Sequence, residues 1–289
     1  MSLVISGTTR VCGLLGFPVQ HSFSSVMHNA AFSLLGLDYV YVSFCVAPEE
    51  LCAAVMAVRS LGLVGVNVTI PHKEKAITFL DEVTPGAQLT GAVNTIVNRG
   101  GKLCGYNTDG VGFLRALQEE VNFSPAGRTA LILGAGGAAR AASVELALAG
   151  AQEILLANRT PERAEGLTRL LTEHTPAGAR IVLWSEQAMA EAVRRSDLIV
   201  QTTPVGMSPD EDSCVDFPFE QLRPGQVVCD LVYNPPLTKF LRHAGRIAGV
   251  RTVGGAGMLL NQGALAFELW TGVKAPVDIM RRALQEVLS

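Results

Sequence analysis

Lys73 and Asp109 are the two side chains in this sequence best suited to handing a proton to and from an oxygen. A free lysine titrates near pH ~10.4, so acid–base work at neutrality needs desolvation or charged neighbours, and Asp109 is expected to orient the ammonium as an ion pair. Hydride transfer to a ketone builds negative charge on oxygen. An ammonium within hydrogen-bond reach stabilises that charge and delivers the proton, and in the reverse direction it takes the alcohol proton. The same region carries hydroxyl and amide side chains inside otherwise apolar stretches: His21-Ser22-Phe23-Ser24, Asn67-Val68-Thr69-Ile70-Pro71-His72-Lys73, Val93-Asn94-Thr95 and Asn107-Thr108-Asp109. Alternation puts Asn67 and Thr69 on one face of a strand that ends near Lys73. Singly these are ordinary turn and cap residues. Together they suit a polyhydroxylated substrate, with the Ser22 and Ser24 hydroxyls able to take a carboxylate without a full positive charge.

A second constellation begins at Leu131. The run Leu131-Ile132-Leu133-Gly134-Ala135-Gly136-Gly137-Ala138-Ala139-Arg140 reads as a strand, a G-x-G-x-x-A turn and the start of a helix of small residues. Gly134 permits the tight turn, Gly136 lets a pyrophosphate approach the backbone, and Ala139 lets the helix pack closely. Gly137 and Ala138 open the helix, where free N–H groups and the macrodipole favour an anion. Such turns also arise for packing alone, and the strand before and helix after it favour dinucleotide binding. The end of the next strand discriminates between cofactors. It runs Ala157-Asn158-Arg159-Thr160-Pro161-Glu162-Arg163, without the carboxylate that would bind a ribose 2′-hydroxyl. Arg159, helped by Arg163, Asn158 and Thr160, is suited instead to a 2′-phosphate, so the expected cofactor is NADP.

These groups need elements to hold them. Apolar runs at Ala130–Leu133, Ile154–Ala157, Leu198–Val200 and Val227–Cys229 alternate with helical stretches at Ala138–Leu148 and Pro161–His174, which is the pattern of βαβ units on a parallel sheet. The first part reads as another α/β domain, with strands at Cys12–Gly16, Tyr39–Phe44 and Gly65–Thr69 and helices at Ser25–Leu35 and Pro48–Leu61. The tail, helical over Met258–Trp270 and Pro276–Leu288, has no strand to follow and is expected to return to the first domain.

Composition narrows the classes. A chain of 289 residues is long for a single core, and 48% hydrophobic against 17% charged residues excludes disorder. A formal charge of -3 with scattered basic residues gives no footprint for nucleic acid. Apolar stretches break well before the ~20 residues of a membrane span, and Met1–Arg10 lacks the pattern of a signal peptide. Six dispersed cysteines without a C-x-x-C pair, and five histidines without ligand spacing against them, predict no metal and buried reduced thiols in a cytoplasmic protein.

The ordered motifs together strongly resemble the shikimate dehydrogenase family, including its quinate/shikimate branch. They are Gly16-Phe17-Pro18 with His21-Ser22-Phe23-Ser24 and His28-Asn29, the Asn67–Lys73 segment, Gly91-Ala92-Val93-Asn94-Thr95, Gly105-Tyr106-Asn107-Thr108-Asp109, the Gly134 turn, Asn158-Arg159-Thr160, Thr202-Thr203-Pro204-Val205-Gly206-Met207, Asp230-Leu231-Val232-Tyr233-Asn234-Pro235, and Gly257-Met258-Leu259 with Gln262. The resemblance covers nearly the whole chain. It implies a two-domain α/β enzyme that reversibly reduces 3-dehydroshikimate to shikimate with NADPH, with a substrate domain over 1–111 completed by helices of 256–289 and a Rossmann-like NADP domain over 112–255. By position it implies Lys73 as acid/base with Asp109 as partner and substrate ligand, and Ser22, Ser24 and Tyr233 as carboxylate contacts. Thr69, Asn94 and Gln262, with Asn67 nearby, would meet the ring hydroxyls. Thr203, Pro204 and Val205 would meet the cofactor, with Leu231 and Gly255 near its nicotinamide. The implied partner is a small cyclic hydroxy acid, and the implied assembly a monomer or homodimer. Ser25 stands where the family usually has proline, which would fix φ at the start of a helix. Quinate or an aminoshikimate therefore stays open as substrate, as does a binding paralogue of low activity, against which the presence of both Lys73 and Asp109 argues.

Overall fold

A parallel sheet covered on both faces draws its strands from near-continuous apolar runs, and the computed structural model, which describes residues 5–288, builds two sheets around such runs. The N-terminal stretch read for a signal peptide begins outside the described residues. Two compact units result, one running to Thr108 and resuming at Leu260, the other spanning Asp109–Leu259.

In the first unit, β1 (Arg10–Gly16), α1 (Ser24–Leu34), β2 (Tyr39–Cys45), α2 (Leu51–Ser60), β3 (Gly65–Val68), β4 (Glu82–Val83), α3 (Pro85–Thr90), β5 (Thr95–Arg99) and β6 (Lys102–Tyr106) follow in order. They form a six-stranded sheet in the order β2-β1-β3-β5-β6-β4. β1 pairs in parallel with both β2 and β3, while β5 runs antiparallel to β3 and β6. The sheet is thus mixed. Its antiparallel half is a hairpin closed by Gly100 and Gly101, both at positive φ, the conformation that a tight two-residue turn requires. α1 begins one residue earlier than expected, which makes Ser24 the first helical residue and Ser25 the second. One core lies among Leu15, Leu51, Val55, Val66, Val68, Val93, Ile96 and Leu103.

The second unit comprises α4 (Asp109–Val121), β7 (Thr129–Leu133), α5 (Gly137–Leu148), β8 (Glu153–Ala157), α6 (Pro161–His174), β9 (Gly178–Val182), α7 (Glu186–Arg195), β10 (Leu198–Gln201), β11 (Val227–Asp230), α8 (Lys239–Ala244) and β12 (Arg251–Val253). All its strands are parallel, in the order β12-β11-β10-β7-β8-β9. This is the doubly wound order, whose strand sequence reverses between β7 and β10, and such folds bind ligands at the carboxyl ends of the strands beside that switch. Its core gathers Leu131, Leu133, Leu155, Val193, Ile199, Val228, Phe240 and Leu241.

The chain closes with α9 (Gly255–Thr271), in which the boundary between units falls, and α10 (Val277–Leu288), which packs on α1 in the first unit. The cysteines are free, but only Cys12, Cys104 and Cys229 are buried; Cys45 and Cys52 are exposed, contrary to the expectation of uniformly buried thiols. Their two positions sit on an edge strand and on the outer face of α2, where small side chains need no cover.

Candidate active site

In the first unit the polar residues singled out from sequence converge through strand register. Asn67 on β3 lies opposite Leu14 on β1 and opposite Thr95 on β5, so the Asn67 amide reaches across the sheet. Its Nδ2 donates to Thr95 Oγ1 at 3.1 Å and to the Asn94 carbonyl at 3.2 Å. Asn94, 2% exposed, accepts from the Thr108 backbone N–H at 2.7 Å and donates to Thr108 Oγ1 at 2.9 Å and to Gln262 Oε1 on α9 at 3.3 Å. Neutral amides and hydroxyls thus hold one another in a buried lattice. Satisfying buried polar groups in this way fixes their orientation, because an unpaired one costs about 1–3 kcal/mol.

The remaining candidates are each held by their own element. Thr69 continues β3 half-buried, its N–H bonded to the Leu15 carbonyl, and a β-carbon at Gly16 would collide with its methyl group. Lys73 is half-buried in the following loop, anchored where its carbonyl accepts from the Val93 N–H at 2.9 Å. Asp109 is buried as the first residue of α4, directly after Thr108. Ser24 is buried and its N–H donates to Ser22 Oγ at 3.3 Å, so the two hydroxyls belong to one turn.

Sequence reasoning missed a residue beneath them. Tyr41, 2% exposed on β2, donates its hydroxyl to Asn67 Oδ1 at 2.9 Å, while burial pushes its phenol far above the ordinary range. Its ring stacks on His28 with centroids 4.5 Å apart, and Trp270 of α9 closes the stack from 5.3 Å off His28. The signal available was a tyrosine at an inward position of an alternating strand, which a core aromatic also gives.

In the second unit the turn after β7 has the features of a dinucleotide cradle. Gly134 sits at φ +119°, where a β-carbon would be strained and would collide with the Thr202 hydroxyl. A β-carbon at Gly136 or Gly137 would meet nothing within 4 Å, so the backbone there is open to a ligand. Gly136 is the N-cap of α5 and no side chain caps the helix, which leaves its first N–H groups available to an anion. Ala139 is fully buried, as close packing of this helix requires. Ala135 and Ala138 complete the turn. After β8, Asn158 Nδ2 donates to the Thr160 carbonyl at 2.7 Å, and the Arg159 and Arg163 side chains are exposed. Thr203, Pro204 and Val205 follow β10, and Leu231 follows β11 with Gly255 packed against its carbonyl so closely that no β-carbon fits. Tyr233, in the same loop, is half-buried, and its desolvation raises its phenol pKa and keeps it protonated.

Comparison with known proteins bears on both halves. The substrate-binding domain model of shikimate dehydrogenase matches residues 14–96, the shikimate/quinate 5-dehydrogenase model residues 116–206, and the shikimate 5′-dehydrogenase C-terminal domain model residues 255–285. The shikimate dehydrogenase (NADP+) of Desulforamulus reducens is 54% identical over 98% of this chain and 97% of its own length. The chain belongs to the shikimate dehydrogenase family. Its relative from Methanopyrus kandleri, also a shikimate dehydrogenase (NADP+), is 51% identical over 100% of this chain and 99% of its own. Among solved structures, shikimate 5-dehydrogenase of Thermus thermophilus in complex with NADP(H) and shikimate matches with a TM-score of 0.85 and 38% identity, over 96% of this chain and 100% of that one.

Membership in the shikimate dehydrogenase family accounts for the two-unit α/β architecture and for the parallel sheet that carries the Gly134 turn. Among the described residues no helix is long and apolar enough to cross a membrane, and no group of three or more His, Cys, Asp or Glu is placed to hold a metal ion. Both ends of the Asn67 amide have protein partners, Tyr41 at Oδ1 and Thr95 with the Asn94 carbonyl at Nδ2, as both ends of the Asn94 amide do.

Proposed function

We propose that this chain catalyses the reversible NADP-dependent reduction of 3-dehydroshikimate to shikimate, in the cytoplasm, as a monomer or homodimer. One observation carries the reading: a buried lattice of neutral donors and acceptors, Asn94 with Thr108 and Gln262, lies on the same unit as Lys73 in a chain 54% identical to an NADP+-dependent shikimate dehydrogenase. NADPH, when bound, supplies the hydride. The open backbone at Gly136 and Gly137 would receive its pyrophosphate and Arg159 its 2′-phosphate, with Asn158, Thr160 and Arg163 in support and Leu231 and Gly255 bordering the nicotinamide.

Lys73 Nζ donates the proton to the substrate oxygen as charge develops there and accepts it in the reverse direction, while Asp109 orients the ammonium and meets a ring hydroxyl. Ser22 and Ser24 hold the carboxylate together with the protonated Tyr233, and Thr69, Asn94 and Gln262 take the ring hydroxyls. The test is initial rates followed by nicotinamide absorbance with shikimate or quinate and NADP+ or NAD+. We expect shikimate to be preferred, and NADP+ to exceed NAD+ by at least about tenfold in kcat/KM, or about 1.4 kcal/mol, with Arg159→Ala removing most of that preference. Equal use of both cofactors, or quinate as the better substrate, overturns the corresponding part.

A further inference from the structure

Gln201 and Asp230 end the neighbouring strands β10 and β11, and both are completely shielded from solvent. A buried carboxylate is unfavourable unless donors satisfy it, and a buried amide constrains whatever it bonds. Asp230 is surrounded by donors rather than by a cation. Its Oδ1 accepts from the Val232 N–H at 3.0 Å and from Gln201 Nε2 at 3.2 Å, and its Oδ2 accepts from Thr238 Oγ1 at 2.7 Å. Gln201 reaches the other way. Its Nε2 also donates to the carbonyls of Thr203 at 3.1 Å and Val205 at 3.2 Å, and its Oε1 accepts from the Thr203 N–H.

The pair therefore grips two loops from below. One is 203–205, which begins beside the Gly134 turn where Thr202 Oγ1 donates to the Leu133 carbonyl at 2.7 Å; the other is 231–238, which carries Leu231. A further backbone bond, from the Ser208 N–H to the Asn234 carbonyl at 3.0 Å, ties the chain just after the first loop to the second. Both lie at the carboxyl ends of strands beside the switch in strand order, where ligands of such sheets bind. A buried network is an unusual way to end two strands unless the loops beyond them must be held in one geometry.

We propose that Gln201 and Asp230 act as one buried brace that positions the 203–205 and 231–238 loops against the nicotinamide cofactor. The proposal rests on the NADP reading above. The Thr238 hydroxyl completes the brace, since it donates to Asp230 while accepting from the Leu241 N–H as the N-cap of α8. Neither Gln201 nor Asp230 is expected to touch the cofactor; each acts through the loops it holds.

The experiment is NADPH titration, followed by its fluorescence, on the wild type and on Gln201→Leu, Thr238→Val and Thr238→Ser, with circular dichroism to establish folding. Gln201→Leu removes every bond of that amide at similar volume and should raise the NADPH Kd about tenfold. Thr238→Val deletes the donor to Asp230 and should raise it several-fold, whereas Thr238→Ser, which keeps the hydroxyl, should restore it. If Gln201→Leu does not fold, the Val and Ser pair at 238 decides alone. Folded variants with wild-type Kd overturn the brace while leaving the cofactor reading intact. A wild type that binds no NADPH removes that reading and the brace with it.

Discussion

At the scale of the residue, the chemistry turns on Lys73 and on what steadies its surroundings. Removing a general acid–base group typically lowers a rate by about 10²–10⁴-fold, so Lys73→Ala should lower kcat by that factor with NADPH affinity unchanged, since the Gly134 turn stands in the other unit. Lys73→Arg keeps the charge without a usable proton near neutrality. If steady-state rates show near wild-type kcat for the arginine variant, Lys73 is a charge anchor and the mechanism fails. Tyr41 makes a separate prediction. Its hydroxyl satisfies Asn67 Oδ1, and Asn67 in turn holds the Asn94 carbonyl. Tyr41→Phe keeps the ring in the His28 stack but leaves a buried acceptor unpaired, a loss of about 1–3 kcal/mol. The KM for the acid should therefore rise several-fold while the KM for NADP+ stays put, a split that saturation kinetics with each substrate resolves.

At the scale of the element, the Gly134 turn separates what the fold requires from what the ligand requires. Gly134 stands at positive φ with the Thr202 hydroxyl against it, so Gly134→Ala should lower both Tm and NADPH affinity. Gly136 has an extended backbone and open space beyond it, so Gly136→Ala should leave Tm unchanged while its methyl group intrudes where a pyrophosphate would lie. Thermal melts beside NADPH titrations check both, and a Gly136→Ala variant with unaltered affinity would place the anion elsewhere. The same contrast explains what could be read from the residues alone. β7, β8, β10 and β11 were legible because strands buried on both faces are unbroken apolar runs. β9 and β12, at the two edges of that sheet, were not, since partial exposure lets Arg180 and Arg251 interrupt the pattern. Lys73, Ser24 and Asn94 stood out as polar groups in apolar surroundings. Tyr41 and Gln201 did not, because an aromatic in a strand reads as core and a polar residue at a strand end reads as solvated.

At the scale of the whole molecule, His28 in the first unit and Asp230 in the second are buried groups whose charged forms the interior resists, and the two pull stability in opposite directions with pH. His28, fully buried in the first unit with neither ring nitrogen hydrogen-bonded among the described residues, has its pKa lowered by burial to about 3. The unfolded chain binds that proton near pH ~6.5, so the contribution of His28 is complete above that value and is lost as pH falls toward about 3. Asp230 in the second unit is raised by burial to about 6, against the partial relief from Thr238, Val232 and Gln201. Its contribution is complete below the ordinary carboxylate value and is lost as pH rises through about 6. Between about pH 4.5 and about pH 7.5 the His28 term changes by roughly 3 kcal/mol and the Asp230 term by roughly 2 kcal/mol in the opposite sense, so in the wild type the two partly offset each other. His28→Phe keeps the aromatic stack and deletes the first term, and its stability relative to wild type should improve as pH falls. Asp230→Asn deletes the second, and its relative stability should improve as pH rises, whatever fixed loss the altered bond to Thr238 brings. Denaturant unfolding of the three proteins across that range reads the two slopes directly. Parallel curves would mean that neither buried group resists its charge in the folded chain.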